Sequence, residues 1–124
     1  MILLRKTRKK LMNNHNEIKK LRDIVEKFVT ERKWKKYHTP KALAIAISIE
    51  SAELLEHFLF KEDNYLPDDM VGIEDEMADI FIYLMSLANT LDIKKFFEII
   101  ERKMQKNRKK YPIEKFSGDN YKKQ

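Results

Sequence analysis

The sequence predicts an all-helical protein, a bundle of four helices, and three observations carry that expectation. Two glycines and three prolines in 124 residues leave little turn chemistry for hairpins. Lys, Glu, Leu, Ile and Ala, which favour helix, are abundant throughout. Apolar residues recur at spacings of three and four over long stretches. With 43% apolar residues a chain of this length can bury one modest core, so a single domain is expected, residues 15–112, between a basic tail at 1–14 and a polar tail at 113–124.

Asn13 or Asn14 can cap a first helix running to about Trp34, with Ile18, Leu21, Ile24, Val25, Phe28 and Val29 on one face. Thr39-Pro40 reads as an N-cap followed by proline at the first helical position, opening a second helix to about Phe60. Its stretch from Ala42 to Ile49 is apolar on nearly every side and should be covered by neighbours. The polar segment from Lys61 to Pro67 is a connection. A third helix should start near Asp68 or Asp69 and reach about Leu91, with Met77, Ile80, Phe81, Leu84, Met85, Leu87 and Ala88 forming a broad apolar surface. Gly72 costs something near its start. Asp92 can cap a fourth helix through about Lys110, with Phe96, Phe97, Ile99, Ile100 and Met104 inward and Tyr111-Pro112 ending it.

There is no cysteine, so disulfides and thiolate zinc sites are excluded and any metal must be held by oxygen or imidazole. The opening Met1-Ile2-Leu3-Leu4 precedes Arg5, Lys6, Arg8, Lys9 and Lys10, the reverse of a signal peptide, and is too short to span a bilayer. A cytoplasmic protein without a membrane partner is expected. Met12 is an alternative start, which would leave residues 1–11 outside the native protein. The net charge of +6 is unevenly spread: +7 over residues 1–22, −8 over 23–93 and +7 over 94–124. A uniformly basic nucleic-acid binder has no need of that acidic centre, whereas a site holding a metal with carboxylates and polyphosphate with cations needs both signs.

Glu50 and Glu53 lie three apart on one face of the second helix, directly after the apolar octet. Glu76 and Asp79 repeat the spacing inside another apolar run, with Tyr83 a turn further along the same face. A lone Glu-x-x-Glu is commonly a solvated face. Two such pairs, each in apolar surroundings and separated by one connection, point to a shared site where antiparallel helices meet. Four converging carboxylates repel one another, and a divalent cation relieves the repulsion. All-oxygen ligands suit magnesium, with manganese as a substitute. Glu56 reads either as a supporting base or as surface, and His57, four residues after Glu53, either as a metal ligand or, the preferred reading, as a helix-end surface residue.

On the fourth helix Lys103, Asn107 and Lys110 share a face, with Tyr111 at its end. These residues either grip phosphate or form a basic C-terminus favoured by the helix dipole. Trp34, Tyr37 and His38 precede the second helix, where they form either an aromatic wall for a nucleobase or part of the core. A di-iron carboxylate bundle would need Glu-x-x-His, and none of His15, His38 or His57 has a Glu three residues before it. The alternative from another class is a non-catalytic helical module binding nucleic acid through the basic ends, against which the acidic centre argues.

The order Glu31-Arg32-Lys33-Trp34, Tyr37-His38-Thr39-Pro40, Glu50-x-x-Glu53, Glu76-x-x-Asp79, Tyr83, Lys103, Asn107 and Tyr111-Pro112 resembles the MazG-like nucleotide pyrophosphohydrolases, nearest to their dCTP pyrophosphatase branch. The resemblance covers about residues 18–112, with 22 residues between the two acidic pairs. It implies a four-helix MazG-like bundle that hydrolyses a nucleoside triphosphate between its α- and β-phosphates, giving the monophosphate and pyrophosphate, as nucleotide-pool house-cleaning. It makes Glu50, Glu53, Glu76 and Asp79 the catalytic magnesium ligands. It implies substrate contacts from Trp34, Lys35, Lys36, Tyr37, His38 and Tyr83, and phosphate-facing positions for Lys103, Asn107 and Lys110 beside Tyr111. Phe60 falls where that branch has a base-stacking tryptophan. Val25 falls where it has a pocket histidine, which leaves base preference open. Self-association to a dimer or tetramer is implied as well, and suits apolar faces too large for one chain of this length to bury.

Overall fold

A computed structural model of the chain describes residues 1–119, and every regular element among them is helical. The order is α1 (Ile2–Glu31), α2 (Pro40–Glu56), α3 (Val71–Thr90), α4 (Phe96–Lys110) and a single turn, α5 (Ile113–Phe116). The contacts divide into two units, Asn16–Lys94 and Met1–His15 with residues 95–119. No described helix is long and apolar enough to cross a membrane.

In the Asn16–Lys94 unit the core consists of Val25 and Val29 from α1, Leu43 from α2, and Ile73, Met85 and Ala88 from α3. Thr39 caps α2 as expected, its Oγ1 accepting from the Ala42 N–H at 3.2 Å with Pro40 at the first helical position. Asp69 serves the start of α3, accepting from the Val71 N–H at 3.0 Å. The C-terminus of α2 lies against the N-terminus of α3, where His57 meets Gly72, so the two helices run antiparallel. Asn89 ties the far end of α3 to α1: the Arg22 Nε–H donates to Asn89 Oδ1 at 3.1 Å, and Asn89 Nδ2 donates to the Arg22 carbonyl at 3.0 Å.

Four expectations are corrected here. The basic stretch 1–14 is not a tail ahead of a capped helix: α1 already begins at Ile2. Leu, Arg and Lys are good helix formers, no glycine or proline interrupts them, and the helical backbone returns an i−4 bond from Thr7 Oγ1 to the Leu3 carbonyl at 2.9 Å. Asp92 does not cap α4. It takes φ +55° and closes α3, its N–H donating to the Asn89 carbonyl at 3.2 Å and the Ile93 N–H to the Ala88 carbonyl at 2.8 Å, the pair of bonds of a Schellman motif. Helix α2 stops at Glu56, short of Phe60. The apolar octet of α2 is only partly covered within one chain, because α3 shields one face and leaves Ile45 and Ile49 about half exposed, at 51% and 52%.

Helix α1 ends by the same device as α3. Lys33 adopts φ +55°, its N–H donates to the Thr30 carbonyl at 3.0 Å and the Trp34 N–H to the Val29 carbonyl at 3.0 Å. This bend carries the chain from α1 into the Trp34–His38 segment.

In the other unit α4 ends at Lys110, as Tyr111-Pro112 led us to expect, with the Tyr111 N–H donating to the Asn107 carbonyl at 2.8 Å. Ile100 and Met104 are exposed rather than inward. The stretch read as a polar tail contains α5, whose Phe116 stands edge-on to Tyr111 with ring centroids 5.3 Å apart. Residues 120–124 of that tail lie outside the described residues.

Candidate functional site

Antiparallel packing sets Glu50 on α2 opposite Glu76 and Asp79 on α3. Each contributes a carboxylate oxygen, and these oxygens all lie within 4.8 Å of one another. Glu53, one turn further along α2, stands within hydrogen-bonding reach of Glu50 beside this group of three. Glu50, Glu53 and Glu76 are half-buried and Asp79 is exposed. Glu50 Oε2 is enclosed and has no hydrogen-bond partner.

The electrostatics follow from that crowding. Burial first, then the neighbouring Glu53 carboxylate, then Glu76 and Asp79, push the Glu50 carboxyl from 4.5 up to about 7. Near neutrality the cluster therefore either holds a proton or needs a cation. A residue with an enclosed, unpartnered carboxylate oxygen, in a group of three carboxylates with no nitrogen or sulfur among them, fits a hard divalent ion such as magnesium or manganese.

Beside the carboxylates is an apolar cavity of about 420 Å³, bounded by Asp79, Tyr83 and Ile82 on α3, Val25 and Phe28 on α1, and Trp34 and His38 between helices. Phe28 meets Trp34 edge-on with centroids 5.8 Å apart, and the Arg32 guanidinium covers Phe28 at 3.5 Å. The His38 ring lies 6.3 Å from that of Trp34 and its Nδ1 is buried without a partner, while its backbone carbonyl accepts from Thr90 Oγ1 at 3.3 Å. Half of this wall was legible as an aromatic cluster. Phe28, Leu21 and Ile24 read in the sequence only as part of the apolar face of the first helix, with no signal that this face lines a cavity.

The remaining sequence-derived residues divide. Lys35 pairs with Glu26 and lines a smaller polar recess of about 280 Å³ with His38, Ser86, Asn89 and Thr90. Tyr37 is exposed, with Lys36 Nζ 5.0 Å from its ring, and neither lines the two cavities. Phe60 is not brought to the cavity: it sits fully exposed, at φ +62°, in the turn after α2. Glu56 is exposed and lines an open recess with Glu53, His57 and Glu76. Lys103, Asn107, Lys110 and Tyr111 belong to the other unit, where Lys110 Nζ lies 5.4 Å from the Tyr111 ring. His57, read as a surface residue, is half-buried with Nε2 3.9 Å from Glu76 Oε1.

The fold matches that of a solved pyrophosphatase from Archaeoglobus fulgidus, with a TM-score of 0.72 and 42% identity over 77% of this chain and 93% of that one. Residues 45–123 match the family model described as MazG-like. The chain belongs to the MazG-like family. The MazG-like match takes in both acidic pairs, from Glu50 to Asp79. Curated relatives agree: dCTP pyrophosphatase 1 of Mus musculus is 31% identical over 99 residues, and that of Homo sapiens is 31% identical over 98 residues. These alignments cover 75% and 74% of this chain but only 58% and 57% of the relatives' own length.

Proposed function

We propose that this MazG-like chain hydrolyses (deoxy)nucleoside triphosphates between the α- and β-phosphates, releasing the monophosphate and pyrophosphate, in a cytoplasmic nucleotide-cleansing role. The observation that carries the reading is the enclosed, unpartnered Glu50 Oε2 among carboxylates that converge to within 4.8 Å, with an apolar cavity opening beside them at Asp79. The pyrophosphatase and dCTP pyrophosphatase relatives support the same chemistry.

Glu50, Glu76 and Asp79, completed by Glu53, hold a magnesium ion in this reading, with manganese as substitute. Bound there, the ion would neutralise phosphate charge and lower the pKa of a water. The protein's own residues do the rest. Trp34 and Phe28 offer ring surface to a nucleobase, Tyr83 stands one turn from Asp79 where the sugar would pass, and a carboxylate of the quartet takes the proton of the attacking water. Lys103, Asn107, Lys110 and Tyr111 stay candidates for phosphate contact on the family resemblance alone, and a dimer or tetramer is the assembly we expect.

A panel of triphosphates incubated with protein and magnesium tests the proposal. Turnover should need the metal and drop by about a hundredfold or more in Glu53→Gln and Asp79→Asn, the scale lost with a single electrostatic stabiliser of a transition state. Unchanged rates in both variants would remove the cluster from catalysis.

A further inference from the structure

We propose that His57 is a positioning residue for the carboxylate cluster: seated in the space that Gly72 leaves open, its ring holds Glu76 in the orientation that serves a divalent cation. This rests on the metal reading above and adds a residue to it.

The geometry is specific. His57 closes α2, its N–H directed at the Leu54 and Leu55 carbonyls, which fixes where its side chain leaves the helix. Its half-buried ring crosses to α3, where Nε2 comes to 3.9 Å from Glu76 Oε1. Gly72 lies one helical turn before Glu76 on the same face of α3. A Cβ at Gly72 would stand 2.8 Å from His57 Cε1, 3.6 Å from Nε2 and 3.7 Å from Nδ1. Such a methyl group would force the ring to shift from the place it holds.

Nothing in the backbone asks for glycine there. Gly72 sits in an ordinary helical turn, whereas the one glycine with positive φ among the described residues is Gly118. Alanine is the better helix former, so at this position glycine is the more costly choice. What it provides is room for an imidazole beside a carboxylate of the cluster. At 3.9 Å from Glu76 Oε1, Nε2 stands beyond direct hydrogen-bonding distance, and a neutral ring protonated there would donate to Glu76 on turning toward it, so the role needs no charge on His57. Carboxylates that ligate metals are commonly oriented by a hydrogen-bond donor behind them, and losing that donor typically weakens metal binding by about 10–100-fold.

The test is manganese binding to the full-length protein without nucleotide, read from the electron paramagnetic resonance signal of free Mn²⁺, for wild type, His57→Ala, Gly72→Ala, the double variant and His57→Gln. His57→Ala and Gly72→Ala should each weaken binding by about 10–100-fold, because the alanine methyl at 72 displaces the ring. The double variant should bind no more weakly than His57→Ala alone, and His57→Gln, which keeps a donor at similar reach, should recover most of the affinity. Gly72→Ala should keep its helical circular dichroism and melting temperature while losing affinity, a split that a merely structural role does not produce. Wild-type affinity in either alanine variant, or a further loss on adding Gly72→Ala to His57→Ala, would overturn the proposal while leaving the metal centre standing. Absence of Mn²⁺ binding in the wild type would overturn both.

Discussion

Glu50 on α2 and Glu76 on α3 bring carboxylate oxygens within 4.8 Å of each other, a like-charge contact between antiparallel helices that a proton or a cation must relieve. The proton's share is visible at Glu50, whose carboxyl rises from 4.5 to about 7 through burial and the neighbouring Glu53, Glu76 and Asp79.

This shift makes stability depend on pH in a definite direction. A carboxyl that titrates higher folded than unfolded stabilises the fold fully below about 4.5, and that stabilisation is lost as pH rises through about 7. Calorimetry of metal-free protein should therefore show stability falling between about pH 5 and pH 7.5. Glu50→Gln should flatten the slope. Magnesium should raise the melting temperature more at pH 8 than at pH 5, where a proton on Glu50 competes with the ion.

Met85 on α3 is completely buried and Leu43 on α2 nearly so, the two most enclosed large side chains of the helices that carry the acidic pairs. Met85→Ala and Leu43→Ala should each cost about 2–5 kcal/mol in urea denaturation, the range for cavity-forming truncations. Destabilisation below 1 kcal/mol would mean that the α2–α3 packing is not the core described here.

Trp34 is the sole tryptophan and lines the apolar cavity, so its fluorescence reports directly on occupancy. Titration with a non-hydrolysable triphosphate should quench it saturably. Trp34→Ala should weaken nucleotide binding by about 1–3 kcal/mol, the usual worth of one base–aromatic stack.

Lys33 occupies the left-handed position that ends α1, at φ +55°, where a side chain is strained. Lys33→Gly should raise stability by about 1 kcal/mol and leave the cavity intact, measurable as a shift in the urea midpoint.

These features were unequally legible in the sequence. Thr39-Pro40 and Tyr111-Pro112 marked a helix start and a helix end, since proline fixes its own φ and has no N–H to donate. The acidic pairs stood out because their spacing matches a helical face inside apolar sequence. Asp92 misled because the same short polar side chain suits both an N-cap and a left-handed C-terminal position, and only the Ile93-to-Ala88 bond decides between them. Phe60 was placed by its rank in a motif, which carries no information about the turn that exposes it. Ile45 and Ile49 show the limit of hydropathy: the pattern says how much surface needs cover, not which chain supplies it. His57 reads as surface in the sequence because its setting depends on Gly72, which lies across a connection in another helix.

The most direct test of the central claim is a phosphorus NMR time course of a deoxynucleoside triphosphate with the full chain and magnesium. The expected result is pyrophosphate and nucleoside monophosphate rising together in equal amounts, with neither formed when EDTA is present. Nucleoside diphosphate with orthophosphate, or triphosphate that stays intact across all bases tested, would contradict it.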